Sequence, residues 1–282
     1  MAPIRSGVMA ESTPAPVLVD DVDDGIVTIT LNRPERLNAM DRTLVDGLHD
    51  ALAELGGRDD VRVAILTGAG RGFCAGLDLK EGMLGGPPSS DGPGPAQRGM
   101  EIQQRIATLI PAMRRARFPI VAAVNGAATG GGLALVLGSD VRIAAASARF
   151  NVAFVKIGLS GCDIGVSWLL PRIVGAARAQ ELMLTGRLID AAEAERIGMV
   201  VRAVDDEALA GEALVTARLI RSNSPFGVWM TKEAMWSALE IGSQQAAIDL
   251  ENRQQILSSF TEDMAEAAAA FLAKREPRFR NR

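Results

Sequence analysis

The chain has 282 residues, of which 48% are hydrophobic and 4% aromatic, and its formal net charge is −4. This length and apolar content predict one large domain, or one domain with an appendage. The acidic balance and the scarcity of aromatic side chains argue against a nucleic-acid-binding or anionic-membrane surface. With one histidine and two distant cysteines, we expect no metal site and a reduced, cytoplasmic protein.

The sequence pattern of the N-terminal half predicts strands that alternate with helices. Residues 1–16 lack the long apolar segment of a signal peptide, and we expect a disordered tail there. No run of 18 apolar residues occurs anywhere, so no membrane span is predicted. The predicted elements are strands at 17–19, 26–31 and 61–67, a helix at 41–55 with Asp41 as its N-cap, a bend of small residues at 73–79, a mobile glycine- and proline-rich segment at 82–99 and a helix at 97–115.

The C-terminal half changes character near residue 205. Before that point we expect strands at 120–124, 141–144 and 199–204, a helix starting near 133, a loop at 150–165 and helices at 167–174, 176–184 and 191–197. From 206 to 274 the patterns are helical only, with a break at Ser224-Pro225. The sequence therefore predicts an α/β core at 17–205 and a helical region at 206–282.

The segment NGAATGGGLALVLGSD (125–140) follows the apolar run IVAAV and carries three consecutive glycines. A strand, a glycine turn and a buried helix start present bare backbone N–H groups to an anion or a developing oxyanion. The glycines match neither a P-loop nor a dinucleotide fingerprint, and no nucleophile is adjacent. An equally weighted alternative to oxygen binding is that the three glycines only allow the helix to pack tightly on the strand. A similar bend surrounds Gly76, and one N–H from each bend would form a two-donor oxyanion hole.

Five segments in order carry a resemblance: LNRPERLNAM (31–40), VAILTGAGRGFCAGLDLKE (63–81), the segment 118–150, the segment 170–204 and FLAKREPRF (271–279). In these the chain resembles the crotonase, or enoyl-CoA hydratase/isomerase, superfamily. The resemblance implies a spiral of ββα repeats with a C-terminal all-α trimerisation region, a homotrimer or dimer of trimers, and an acyl-CoA ligand. It implies no cofactor beyond the CoA of the thioester substrate.

The resemblance also implies site residues. The backbone N–H groups of Leu77 and Gly131 would hold the thioester oxygen. Residues 77–80 (Leu77, Asp78, Leu79 and Lys80) would border the pantetheine, with Arg33, Arg36 and Lys80 near the nucleotide end. The further positions implied to bind substrate are Ala75, Ala134 and Phe154. For the three basic residues, a solvated surface is an equally weighted alternative.

The departures from the family pattern bear on mechanism. Hydratases of this family use two glutamates, and the matching positions here are Ala134 and Phe154, which cannot transfer a proton. Asp163 stands, one residue displaced, where resembling dienoyl-CoA isomerases and a dehalogenase carry an aspartate. We weigh an acid/base role for Asp163 equally against a helix N-cap, and we expect Cys162 to pack rather than to react.

Three functions remain open from the sequence. The first is an isomerase or lyase that acts on an enoyl- or dienoyl-CoA through Asp163 and the oxyanion hole. The second is an acyl-CoA-binding protein without catalysis. The third and weaker is an enoyl-CoA hydratase that uses another acid, such as Glu81 or Glu101.

Overall fold

The computed structural model describes residues 14–80, 92 and 94–282. The predicted tail lies outside the described residues as far as position 13, and the predicted mobile segment lies outside them at 82–91 and 93. Residues 15 and 16 accept hydrogen bonds from Asn32, so the described chain contacts the core before position 17.

Within the described part of the chain, ten strands form two sheets. The strands are β1 (Val17–Asp23), β2 (Ile26–Leu31), β3 (Val63–Gly68), β4 (Gly72–Cys74), β5 (Ile120–Val124), β6 (Ala127–Thr129), β7 (Val141–Ala145), β8 (Arg149–Asn151), β9 (Ile189–Asp190) and β10 (Arg202–Val204). The larger sheet has the order β1-β2-β3-β5-β7-β10 and is parallel except for the β1–β2 pair. The smaller sheet has the order β4-β6-β8-β9.

Eleven α-helices lie within the described residues. They are α1 (Arg42–Gly56), α2 (Pro95–Ala107), α3 (Leu109–Arg115), α4 (Gly131–Gly138), α5 (Val166–Val174), α6 (Ala176–Thr185), α7 (Ala191–Arg196), α8 (Leu209–Arg221), α9 (Pro225–Ala238), α10 (Gln244–Ser259) and α11 (Glu262–Leu272). Short 3-10 turns cover Pro34–Arg36, Ala153–Ile157 and Asp206–Ala208. No helix among these residues has the length and apolar character needed to cross a bilayer.

The connection pattern is a spiral. The pairs β3–β4, β5–β6 and β7–β8 each send one strand to the larger sheet and the next to the smaller sheet, and helices follow each pair. Alternate residues of the larger sheet face two cores, because side chains of a strand point to opposite faces. Val63 and Ile65 pack with α8, whereas Ala64 and Leu66 face the main core between the sheets and α1, α3, α4 and α5. The predicted crotonase-like ββα spiral and helical C-terminal region are confirmed.

Several predicted boundaries are wrong for identifiable reasons. The expected loop at 150–165 contains part of β8 and a 3-10 turn, and β4, β6 and β9 were not predicted. These strands have two or three residues, too few for a period-2 pattern to show. The single helix at 97–115 begins earlier, at Pro95, and divides at Thr108 into α2 and α3. The strand predicted at 199–204 begins only at Arg202.

The helical region is tied to the core by a buried ion pair. Lys232 of α9 is 3% exposed, and its Nζ lies 2.9 Å from Asp140 Oδ2 and donates to the carbonyl oxygens of Met113 and Phe118, each at 2.9 Å. Asp140 also accepts from the backbone N–H of Ile120. A buried charge is stable only with such partners, so this contact fixes α9 against the start of β5.

Candidate active site

Two strand-to-bend connections meet at one edge of the smaller sheet. Strands β4 and β6 pair in parallel, with Gly72 opposite Ala127 and Cys74 opposite Ala128. Their carboxyl ends therefore point the same way, as at the ligand-binding edges of parallel sheets. The first strand leads into residues 75–79 and the second into α4, so the two bends predicted from the sequence are neighbours.

The bend around Leu77 is held by the chain that precedes α1. The N–H of Met40 donates to the Gly76 carbonyl at 2.6 Å, and the N–H of Asp78 donates to the Met40 carbonyl at 2.9 Å. In this parallel bridge the intervening Leu77 turns its own N–H away from Met40. Within the described residues that N–H has no acceptor.

The second bend leaves the N–H of Gly131 free in the same way. Gly130 adopts a positive φ of 52° and donates to the Asn151 carbonyl, and α4 begins at Gly131. The first N–H groups of a helix lack intrahelical acceptors, and across the described residues the N–H of Gly131 has no acceptor. A Cβ placed on Gly76 would lie 3.5 Å from the Gly131 nitrogen, so the two bends that carry the free N–H groups lie close together. Their role as an oxyanion hole stays a prediction.

The alternative explanation of the glycine run, tight packing of helix on strand, also holds, but for Gly132 rather than for Gly131. A Cβ on Gly132 would lie 2.0 Å from the Cys74 carbonyl oxygen. Gly132 therefore permits the close contact between α4 and the end of β4, whereas Gly131 carries the free donor. The two interpretations of the glycine run are compatible.

Asp163 lies on the connection before α5, and its carboxylate does not cap that helix. The N-cap of α5 is Gly165, and no side chain caps it. Oδ1 of Asp163 instead accepts from Gln103 Nε2 at 2.5 Å and from the N–H of Ile164 at 2.7 Å. The N-cap alternative is therefore wrong. Gln103 was missed by the sequence analysis, because a glutamine in an amphipathic helix gives no functional signal.

The backbone beside Asp163 is unusual. Ile164 adopts φ 47°, although a β-branched residue rarely enters the left-handed region. Such strain persists only where surrounding contacts enforce it, often at functional sites. Ile164 is 4% exposed, and its Cδ1 would lie 3.4 Å from a Cβ on Gly131. This packing brings the segment that carries the half-buried Asp163 against the bend at the start of α4.

Ala134 and Phe154 are both buried near this site. Ala134 lies on α4 inside the core, and the Phe154 ring would contact a Cβ on Gly130 at 3.4 Å. Neither side chain can take up or release a proton, and a role of these positions in substrate binding stays a prediction. Glu101 of α2 is exposed, and Glu81 lies outside the described residues.

The basic residues predicted near the nucleotide differ in their surroundings. The Arg33 guanidinium lies 3.1 Å from both Asp41 and Asp78 and donates to the Ala39 carbonyl. Burial alone would raise the pKa of Asp78, but the Lys80 N–H and the Arg33 guanidinium lower the pKa below its usual value. These inward contacts argue against a phosphate contact by Arg33.

The remaining predicted binding residues stay candidates. Arg36, Leu79 and Lys80 are exposed next to the Leu77 bend. Ala75 is half-buried, and its carbonyl accepts from the Thr129 hydroxyl at 2.8 Å, which links the two bends.

The chain is similar to known proteins over nearly its whole length. The profile of the family described as "Enoyl-CoA hydratase/isomerase" matches residues 21–282. A 1,2-epoxyphenylacetyl-CoA isomerase of Escherichia coli is 41% identical over 93% of this chain and 97% of its own length. A protein of Mycobacterium tuberculosis named "Probable enoyl-CoA hydratase EchA12" is 42% identical over 95% of this chain and 94% of its own.

Solved structures agree with these matches. An enoyl-CoA hydratase from Bacillus anthracis superposes with a TM-score of 0.88 at 32% identity, covering 95% of this chain and all of the other. A monofunctional enoyl-CoA isomerase from M. smegmatis has a TM-score of 0.70 at 42% identity, covering 83% and 98%.

Proposed function

The chain belongs to the enoyl-CoA hydratase/isomerase family, and on that premise we propose that it is an isomerase-type enzyme that moves a proton within an unsaturated acyl-CoA thioester. Asp163 is the acid/base, and the N–H groups of Leu77 and Gly131 hold the thioester oxygen. The observation that supports this proposal is the packing of the Ile164 side chain towards Gly131, because it brings the residue after Asp163 against one of the two bends that carry free backbone N–H groups.

The chemistry follows from these groups. Asp163 removes a proton from the carbon next to the thioester carbonyl, and the electron pair of that bond moves onto the carbonyl oxygen. The two N–H groups stabilise the resulting enolate oxygen. Protonated Asp163 then returns the proton at the far end of the conjugated system, so the double bond moves and no atom is gained or lost. A positioned acid/base contributes about 10²–10⁴-fold in rate, and one oxyanion donor contributes about 10²–10³-fold.

The residues at the two glutamate positions favour isomerase chemistry over hydration, whereas the names of the relatives divide between the two activities. Water addition in this family depends on carboxylates at the positions that Ala134 and Phe154 occupy here, and both of these are buried and apolar. The M. smegmatis structure at 42% identity is named an enoyl-CoA isomerase, and the E. coli relative at 41% identity is named an isomerase of an epoxyacyl-CoA. We propose an enoyl- or dienoyl-CoA substrate, no separate cofactor, a cytoplasmic location, and assembly as a homotrimer or dimer of trimers.

The test is proton exchange at the substrate. Wild-type protein is incubated with 3-hexenoyl-CoA in deuterated water, and NMR measures deuterium incorporation and double-bond migration. We expect Asp163→Asn to lower exchange by about 10²–10⁴-fold while calorimetry gives unchanged affinity, since backbone donors and apolar walls dominate binding. Asp59→Asn, at an exposed aspartate, is the matched control.

Two results would overturn this proposal. If Asp163→Asn exchanges as fast as wild type, then Asp163 is not the base. If wild-type protein binds 3-hexenoyl-CoA and catalyses neither exchange nor migration of this probe, the acyl-CoA-binding alternative replaces an enzyme acting on enoyl-CoA.

Hydratase activity is the second candidate, favoured by the name of the M. tuberculosis relative. We expect wild-type hydration of crotonyl-CoA to be at least about 10²-fold slower than isomerisation of 3-hexenoyl-CoA, because positioned acids are replaced at two sites. Fast hydration would show that another acid, such as the exposed Glu101, replaces them.

A further inference from the structure

Asp163 has two inequivalent carboxylate oxygens. Oδ1 accepts from Gln103 Nε2 at 2.5 Å and from the Ile164 N–H at 2.7 Å. Within the described residues neither of these bonds, nor any other, reaches Oδ2. When one oxygen of a carboxylate accepts two hydrogen bonds, the orientation of the carboxylate plane is fixed. The other oxygen is then the one available to a substrate carbon.

We propose that Gln103 is a positioning residue that orients Asp163 so that Oδ2 exchanges the proton with the substrate. This inference rests on the proposed role of Asp163 as acid/base. Gln103 itself touches no reacting atom in this proposal. Its contribution is geometric, since a misplacement of about 1 Å in a reacting group can cost about 10²-fold in rate.

The backbone that carries Gln103 is anchored independently of Asp163. Arg105, two residues later on α2, pairs with Asp46 of α1 at 2.8 Å. His49 of α1 lies 2.9 Å from the Arg105 carbonyl oxygen, and Ile106 is 3% exposed. These contacts hold α2 against α1, so the Gln103 amide reaches Asp163 from a fixed helix. They also give the single histidine a packing role.

The second donor is equally constrained. The Ile164 N–H belongs to a residue at φ 47°, followed by Gly165 at φ 80°. The buried Ile164 side chain packs towards Gly131 and prevents this segment from rotating freely. Donors from two separate elements therefore converge on Oδ1, and pre-organised donors of this kind reduce the motion left to a working group.

The experiment compares Gln103→Leu and Gln103→Glu with wild type, using kcat and KM for 3-hexenoyl-CoA. We expect Gln103→Leu to lower kcat by roughly 10–100-fold with KM within about twofold. In Gln103→Glu the new carboxyl group donates only when protonated, with a reference pKa of about 4.3. The ratio of its kcat to that of wild type should therefore rise as the pH falls from about 7 to 5. Gln104→Glu, at the exposed neighbouring position, should show a ratio near one throughout.

Each result has a defined meaning. If Asp163→Asn remains fully active, the proposed function fails before Gln103 is considered. If Asp163→Asn is inactive but Gln103→Leu keeps wild-type kcat, or changes only KM, the positioning role is refuted. If Gln103→Leu does not fold, Gln103→Glu decides: a kcat ratio that does not vary with pH overturns the inference, and a ratio that recovers in acid supports it.

Discussion

Replacing Gly132 by alanine should separate the two halves of the proposed oxyanion hole. The new Cβ would lie 2.0 Å from the Cys74 carbonyl oxygen, whereas ordinary contact begins at 3.4 Å. Helix α4 would have to move away from the end of β4 by about 1.4 Å, the difference between these values. Both clashing groups belong to elements buried in the core, so no flexible side chain can absorb the displacement.

The expected magnitude follows from that displacement. Forced overpacking costs about 1–3 kcal/mol of unfolding free energy. A shift above 1 Å between the Leu77 and Gly131 donors should lower kcat by at least about 10²-fold. Gly131→Ala is the graded comparison, because its Cβ would lie 2.9 Å from the Met40 sulfur. That sulfur needs to move only about 0.5 Å and lies near the end of a flexible side chain. The losses of unfolding free energy and of kcat should therefore both be smaller in Gly131→Ala than in Gly132→Ala.

The assay combines urea unfolding with the isomerisation of 3-hexenoyl-CoA. Gly99→Ala is the control, since nothing lies within 4 Å of a Cβ there and the position is inside α2. It should raise stability by up to about 1 kcal/mol and leave kcat unchanged. The reasoning is refuted if Gly132→Ala is as stable and as active as wild type, or if Gly131→Ala is the more damaging of the two alanine variants.

Three other predictions concern stability and assembly. Lys232→Met should lower the unfolding free energy, measured with urea, by about 3–5 kcal/mol, because the Lys232 Nζ has three oxygen partners at 2.9 Å. The control Lys156→Met, at an exposed lysine, should change the unfolding free energy little, and equal effects of the two variants would contradict the prediction. Burial raises the pKa of the Cys74 thiol to about 12 from 9.0, so the unfolded state ionises first and stability falls as the pH rises above about 9. From pH 7 to 10 wild type should lose about 1.4 kcal/mol more than Cys74→Ala, and parallel losses would refute this. Light scattering at micromolar concentration should show a trimer or hexamer, and Phe260→Glu should weaken this assembly. The reason is that Phe260 and Phe271 are 85% and 83% exposed in the single chain, and a wild-type monomer would contradict the prediction.

Part of the site was predictable because it is made by backbone. The two bends around Gly76 and Gly131 were predicted from apolar strands followed by small residues and glycines, which are visible in a sequence. The assignment of the donor N–H groups to Leu77 and Gly131 came from the family resemblance and stays a prediction. The environment of Arg33 was not visible, because its partners Asp41 and Asp78 are brought together by the bridge between Met40 and Leu77. A sequence shows a basic residue but not the direction of its guanidinium.

The sequence by itself determined the class of fold, the alternation of strands and helices up to residue 204 and the helical C-terminal region. These depend on local periodicity and turn residues. Only the tertiary structure decided the surroundings of Asp163. Its partner Gln103 is 60 residues away on α2, and the left-handed conformation of Ile164 is enforced by packing rather than by any local preference. Contacts between distant elements have no local signature, and for that reason the helix-cap alternative could be rejected only once the chain was folded.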